Sequence, residues 1–364
     1  MNLLSSIKKS LNTDFVDRKY AFEAIDKLWT IPASTPCSML FWGDWSTGKS
    51  EILWNIDKRC QDINVAYVNL QSLGGDREAK DVWAALVLGL DKIDAIALVG
   101  TAIFRDKPYS AFVKYLEQAL DRYPDRELLL AIDEYEVFLN IPEAATILKQ
   151  LEELTLKHDR LAFLLCGSHD IGWDTGKVAI DFNPTRRFRL GFFTKEETAM
   201  FCNQQPYKFY PEAIDRLYEF TNGQPLLVRS ICFSIISEFQ WATEQDHEIR
   251  TCVTVSDVED IANSDRFYES NRPFFAALWG KQISRGSTTL QQVLLELADD
   301  SDGLTIAEVA RYVGTRHTQE ICEVCQAAMV RHVGSLIEKI NEGGTETYRV
   351  AIELFRRWIF RTQK

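Results

Sequence analysis

The chain has 364 residues, 46% hydrophobic and 26% charged, which is the balance of a folded protein large enough for two or three domains. A net charge of −12 excludes a generic basic coat for nucleic acid, because such binding needs an excess of cations. The sequence contains no secretory signal and no uninterrupted apolar stretch of membrane-spanning length, so we expect a cytoplasmic protein with no membrane partner.

Short, continuously apolar runs alternate with helical patterns in the first half of the chain. The runs predict buried strands at residues 37–42, 64–70, 128–132 and 161–166, and a fifth, short strand is predicted at 187–190. Helices are predicted at residues 17–29, from the end of the first run to about 59, within 77–122, and at 142–157. Continuous apolar strands separated by helices indicate an α/β fold with a parallel sheet covered on both faces. We assign this core to residues 1–193.

After Phe193 the pattern becomes helical. Thr194 is predicted to cap a helix, because Glu197 lies at the capping-box position three residues later. Further helices are predicted at residues 211–221 and 225–240. We assign residues 194–280 to a helical lid domain.

Residues 281–364 form the third predicted domain, with eleven basic and eleven acidic side chains. Helices are predicted after Thr305 and over residues 318–332. Two short strands at 335–340 and 347–350 follow, joined by a turn, and Glu353 to Thr362 close the chain. Helices followed by a β-hairpin are typical of a winged-helix domain, whose recognition helix can enter the major groove of DNA.

The most specific motif lies between the first predicted strand and its helix, and reads Gly43-Asp44-Trp45-Ser46-Thr47-Gly48-Lys49-Ser50. Backbone N–H groups of a glycine-rich turn at a helix N-terminus bind phosphate oxygens. In such a loop the lysine reaches the β and γ phosphates, and the final hydroxyl binds Mg²⁺. The motif therefore predicts ATP and Mg²⁺ as cofactors. The residues expected to contact the nucleotide are Gly43, Ser46, Thr47, Gly48, Lys49 and Ser50.

Asp133 and Glu134 follow the third predicted strand. The carboxyl ends of parallel strands meet at one edge of the sheet, so both side chains are expected beside the phosphate-binding loop. Asp133 is predicted to hold Mg²⁺ together with Ser50, and Glu134 to act as general base on the attacking water.

Two weaker signals lie further along the chain. Ser168 follows the fourth strand and is a candidate contact to the γ-phosphate or the water, with His169 second, although a simple serine-capped turn fits the pattern equally well. Arg186 and Arg187 precede the fifth strand and are candidates to reach the γ-phosphate of a neighbouring subunit. Arginines are also common at exposed strand starts, so an ordinary surface role stays open.

These features together resemble the AAA+ ATPases, and within them the STAND group and the origin-recognition type of initiator. The resemblance covers nearly the whole chain. It is carried by the phosphate-binding loop and by the segments Phe15-Val16-Asp17-Arg18, Asp133-Glu134, Gly167-Ser168, Gly223-Gln224-Pro225 and Tyr348 to Trp358.

The resemblance implies an ATPase core, a helical lid and a winged helix, with Arg18 among the nucleotide-binding residues. It also implies that Pro225, in a motif similar to the GxP motif of STAND lids, lies near the nucleotide base. STAND proteins usually continue into a repeat domain that senses a ligand, whereas this sequence ends after the winged helix.

Two functions are compatible with this pattern. The first is an ATP-hydrolysing molecular switch that assembles into a homo-oligomer or with a protein partner, in signalling or bacterial defence. The second is a DNA-binding ATPase, such as an initiator, loader or transposition regulator, that uses its winged helix. Charge favours the first, because the predicted recognition helix carries Glu320 and Glu323 beside its few cations. A nucleotide-binding scaffold without turnover is disfavoured by the presence of Glu134.

Overall fold

The computed structural model describes residues 18–73, 78–93, 107–168, 183–244, 250–283, 288–314, 318–327, 336–342 and 344–363. These residues fall into two units, 18–190 and 191–364. None of the helices in the described part of the chain combines the length and the apolarity that crossing a bilayer requires.

A five-stranded parallel sheet forms the centre of the first unit and confirms the predicted α/β core. Its strands are β1 (Ser38–Gly43), β2 (Ile63–Asn69), β3 (Glu127–Asp133), β4 (Leu161–Gly167) and β5 (Arg186–Leu190). Their order in the sheet is β2-β3-β4-β1-β5. Every residue of β4 is buried, as expected for a central strand with both faces covered.

Helices flank this sheet. They are α1 (Lys19–Asp26), α2 (Lys49–Leu53), α3 (Ile56–Arg59), α4 (Ala79–Asp91), α5 (Pro108–Arg122) and α6 (Ala144–Lys157), with short 3-10 turns at Lys27–Thr30, Leu70–Ser72 and Tyr135–Asn140. The single helix predicted from the loop to about residue 59 is interrupted between α2 and α3. The Asn55 side-chain amide donates to the Glu51 carbonyl at 2.7 Å, a local bond that competes with the helical ladder.

The second unit is largely helical. Its helices are α7 (Lys195–Asn203), α8 (Pro211–Thr221), α9 (Pro225–Glu244), α10 (Val255–Asn263), α11 (Asp265–Ser270), α12 (Arg272–Ala277), α13 (Thr288–Asp299), α14 (Ile306–Val313), α15 (Thr318–Ala327) and α16 (Glu353–Thr362), with a π-helical segment at Leu278–Ile283. Strands β6 (Lys208–Phe209) and β7 (Cys252–Val253) pair with each other. The capping box at the start of α7 is confirmed, since the Thr194 hydroxyl accepts from the Glu197 N–H at 3.1 Å.

The C-terminal elements include the predicted hairpin. Strands β8 (Ile337–Glu342) and β9 (Thr345–Val350) pair antiparallel, and α16 follows them. Residues 328–332 of the predicted 318–332 helix lie outside the described residues. One apolar core extends through the second unit, and Trp358 of α16 stacks in it against Phe275 and Phe355. The division into a lid and a winged helix stays a prediction.

Candidate active site

The glycine-rich loop runs from the end of β1 to the start of α2, and two of its glycines are required by its shape. A Cβ at Gly43 would overlap the carbonyl oxygen of Leu190, because β1 and β5 are paired there. Gly48 has φ of 93°, in the left-handed region that glycine adopts without strain. Ser46 has φ of 59°, an uncommon conformation for a residue with a side chain and one that is often found at functional sites.

The Lys49 side chain lies against the loop that it follows. Its Nζ donates to the carbonyl oxygens of Gly43 at 2.8 Å and Asp44 at 2.7 Å. The Thr47 hydroxyl also donates to the Asp44 carbonyl, at 2.8 Å. The Lys49 ammonium group is therefore held against the glycine-rich loop, at the N-terminus of α2. A cation beside backbone N–H groups at a helix N-terminus is the arrangement that phosphate binding requires.

Asp133, the last residue of β3, connects the sheet to α2, the helix that follows the glycine-rich loop. Its side chain is 1% exposed. Oδ2 accepts hydrogen bonds from the Ser50 hydroxyl at 2.6 Å and the Tyr67 hydroxyl at 2.9 Å, while Oδ1 accepts from the Glu134 N–H at 3.0 Å. Burial, and next the charge of Asp133, raise the pKa of Tyr67, so its hydroxyl remains a donor at neutral pH.

The residues at this point fit Mg²⁺. Ser50 and Asp133 supply a hydroxyl and a carboxylate oxygen within hydrogen-bond distance of each other. Mg²⁺ prefers oxygen ligands, and it usually takes only one or two carboxylates from a protein beside phosphates and water. The structure therefore brings together the two residues that the sequence predicts as metal ligands.

Glu134 begins the turn after β3. Its φ of 58° and ψ of 48° are left-handed, an arrangement that costs energy in a residue with a side chain. Burial raises the pKa of its carboxyl, and the neighbouring charges of Glu136 and Asp133 add to this effect, while Lys49 opposes it. A carboxylate with a raised pKa is a stronger proton acceptor, as a general base requires.

Ser168 is held by a residue that the sequence did not assign to the site. The Ser168 hydroxyl donates to Glu136 Oε1 at 2.7 Å, and the Ser168 N–H donates to the same oxygen. Gly167 permits this contact, because a Cβ there would overlap the Tyr135 ring and Glu136 Oε1. The only sequence signal for Glu136 was its position two residues after Glu134. His169 lies outside the described residues.

The structure does not bring Arg186 and Arg187 to the Ser50–Asp133 contact. Both stand at the start of β5, beside Met39 and Leu40 of β1, whereas the loop begins beside Leu190. Arg186 donates to the Thr30 hydroxyl at 3.0 Å, and Arg187 to the Asn183 side chain at 3.3 Å. Their predicted action on a neighbouring subunit stays a prediction.

Arg189 is the arginine of β5 that lies nearest the loop in sequence register. Its guanidinium is 3.8 Å from Asp44 Oδ2 and stacks 5.0 Å from the Trp42 ring centroid. Sequence reasoning missed it. The available signal was the period of two in a strand, which places Arg187 and Arg189 on the same face of β5. Of the two, Arg189 is nearer to the loop, because it pairs with Trp42.

The two residues assigned through family resemblance lie in different units. Arg18 is buried immediately before α1, in the first unit. Pro225 is the first residue of α9, in the second. Gly223 makes the turn before it with φ of 68°, and the Phe193 N–H donates to the Gly223 carbonyl at 2.8 Å. Their nucleotide contacts stay predictions.

Comparisons with known proteins agree with this architecture. No protein-family model and no curated protein matches the sequence significantly. The structure is similar to a Walker-type ATPase of Pyrococcus abyssi, with 12% identity and a TM-score of 0.61 over 95% of this chain and 96% of that one. It is also similar to the ORC2 protein of Aeropyrum pernix in its ADP form, with 14% identity and a TM-score of 0.52 over 95% and 94% of the two chains. The chain therefore has the fold of an AAA+ P-loop ATPase.

Proposed function

We propose that this chain binds ATP with Mg²⁺, hydrolyses it to ADP and phosphate, and uses the nucleotide state to control assembly with itself or with a protein partner. The observation that carries the proposal is the 2.6 Å bond from Ser50 Oγ to Asp133 Oδ2. It joins a phosphate-binding loop to an acidic strand end, which are the two parts that phosphoryl transfer needs in one place.

Each residue has a separate role in the proposed reaction. Lys49 and the loop N–H groups bind and orient the phosphates. Ser50 and Asp133 would hold Mg²⁺, which neutralises developing charge on the phosphate oxygens. Glu134 accepts a proton from the attacking water. Ser168, whose hydroxyl donates to Glu136 at 2.7 Å, follows β4 and would contact the γ-phosphate or the attacking water.

The test of hydrolysis is phosphate release by the wild type and by Glu134→Gln. The amide fills the same space but does not take up a proton, so we expect ATP binding to be retained and turnover to fall roughly a hundredfold or more. Glu143→Gln, which makes the same change at an exposed residue after the same strand, serves as the control. Unchanged turnover in Glu134→Gln would assign the base to another residue.

The test of the assembly is light scattering with and without ATP. We expect a larger particle with ATP, most clearly in Glu134→Gln, because that variant keeps the nucleotide unhydrolysed. A single particle size in every nucleotide state would refute the coupling and leave an ATPase that acts as a monomer or through a partner alone.

DNA binding is a second candidate, favoured by the order of elements in the C-terminal part. Helices α13, α14 and α15 precede the β8–β9 hairpin, and Leu304 adds an antiparallel bridge to Tyr348. This order is that of a winged helix. The described residues of α15 include two acids and no Lys or Arg, which disfavours phosphate contacts there. Titration of duplex DNA at several salt concentrations, with and without ATP, distinguishes the candidates, since tight, salt-sensitive binding would support the second.

A further inference from the structure

Tyr67 contacts the candidate active site from a strand that contributes no other side chain predicted to act there. It lies on β2, next to Ala131 of β3 in register, and two residues before Asn69, which is the partner of Asp133. From this position its hydroxyl donates to Asp133 Oδ2 at 2.9 Å. The bond crosses from one strand to its neighbour at the edge where the strands end.

This contact fixes the orientation of the Asp133 carboxylate. Asp133 accepts bonds from three donors, on α2, on β2 and on its own following peptide, so rotation about the last side-chain bond would break all of them. The Ser50 donor belongs to the helix that follows the phosphate-binding loop. The Tyr67 donor belongs to the sheet, and so holds the carboxylate independently of the loop.

We propose that Tyr67 is a positioning residue for the magnesium site, acting through Asp133. This inference rests on the proposed function, because it assumes that Asp133 serves Mg²⁺. Groups that hydrogen-bond a metal-binding carboxylate fix its geometry, and their loss typically costs tenfold to a hundredfold in metal affinity or activity. Tyr67 has the chemistry of such a group: one proton donor, on a rigid ring, in the sheet.

A purely structural role for Tyr67 predicts a different result. Its ring lies edge-on to Trp54, with the ring centroids 6.0 Å apart. Tyr67→Phe keeps this ring contact and removes only the hydroxyl. If the ring alone matters, the variant behaves as the wild type in every assay.

The experiment measures binding of a fluorescent ATP analogue by anisotropy, first in EDTA and then at increasing Mg²⁺, with the full chain. In Tyr67→Phe we expect the wild-type affinity for the analogue in EDTA. The Mg²⁺ concentration that gives half of the Mg²⁺-dependent gain in affinity should rise roughly tenfold, while the affinity at saturating Mg²⁺ stays unchanged. Tyr109→Phe is the matched control, because it removes a hydroxyl from a ring that packs at a tilt against Trp83 in the same unit.

An unchanged Mg²⁺ midpoint in Tyr67→Phe would overturn the proposal. So would an affinity that is lowered equally in EDTA and in Mg²⁺, because that pattern reports a damaged nucleotide site and not a displaced metal ligand. If the wild type binds the analogue without any effect of Mg²⁺, the metal part of the proposed function itself is wrong. The wild-type titration therefore separates that failure from a failure of the Tyr67 assignment.

Discussion

Replacement of Lys49 by alanine tests the phosphate-binding loop directly. Lys49 Nζ now donates to two backbone carbonyls of the loop, at 2.8 and 2.7 Å. We expect it to exchange these bonds for charge-assisted bonds to phosphate oxygens. Such bonds contribute about 1.5–3 kcal/mol each. Loss of two of them costs about 3–6 kcal/mol, which weakens ATP binding by roughly a hundredfold to ten-thousandfold.

The change also costs folding stability. Two carbonyl oxygens lose a charged donor, which at about 1.5–3 kcal/mol for each hydrogen bond lowers the free energy of unfolding by at most about 3–6 kcal/mol. The assay is anisotropy of a fluorescent ATP analogue, with thermal unfolding as the check on folding. Lys58→Ala is the control, because it removes the same charge from an exposed side chain, which donates to the Asn55 side chain at 3.1 Å. Near wild-type affinity in Lys49→Ala, or an equal loss in Lys58→Ala, would refute the assignment of the loop.

Three further predictions follow from other parts of the molecule. If Arg186 or Arg187 acts on a neighbouring subunit, its alanine variant should bind ATP but hydrolyse it slowly, and mixing it with Glu134→Gln protein should restore activity; absence of rescue leaves both as surface residues. Gly43→Ala should lose ATP binding, because its methyl group would displace β5 from the loop, and a variant that binds normally would contradict the close packing seen at Leu190. Trp358→Ala should lower the free energy of unfolding by about 3–5 kcal/mol in denaturant titrations, while Phe360→Ala, on the same helix but 55% exposed, should change it little.

Features that depend on residues close together in the sequence were predicted well. Strands β3 and β4 were predicted because each is a continuous apolar run, and a strand buried on both faces has no polar side. The start of α7 was predicted because the Thr194 and Glu197 bonds form within one turn of helix. The loop was predicted because phosphate binding needs glycine, lysine and a hydroxyl at fixed spacing in one segment.

Contacts between residues far apart in the chain were not predictable in the same way. Tyr67 meets Asp133, and Glu136 meets Ser168, only because β2, β3 and β4 are neighbours in the sheet. Apolar runs specify that strands exist but not the order in which they pair. The sequence could therefore place Asp133 and Ser50 together, through a known motif, but could not identify the side chains that orient Asp133.

In the second unit, side chains from both sides of the predicted domain boundary near residue 280 pack together in one core. Phe275, before that boundary, stacks on Phe355 and Trp358, after it, with ring centroids 6.3 and 5.8 Å apart. Arg361 of α16 also pairs with Asp265 at 2.7 Å. A buried aromatic stack resists separation, because opening it would expose its apolar area to water. Motion of the helices that follow Pro225 would therefore carry α16 along, so a nucleotide-dependent change in this unit would reach its C-terminal elements without a separate hinge between them.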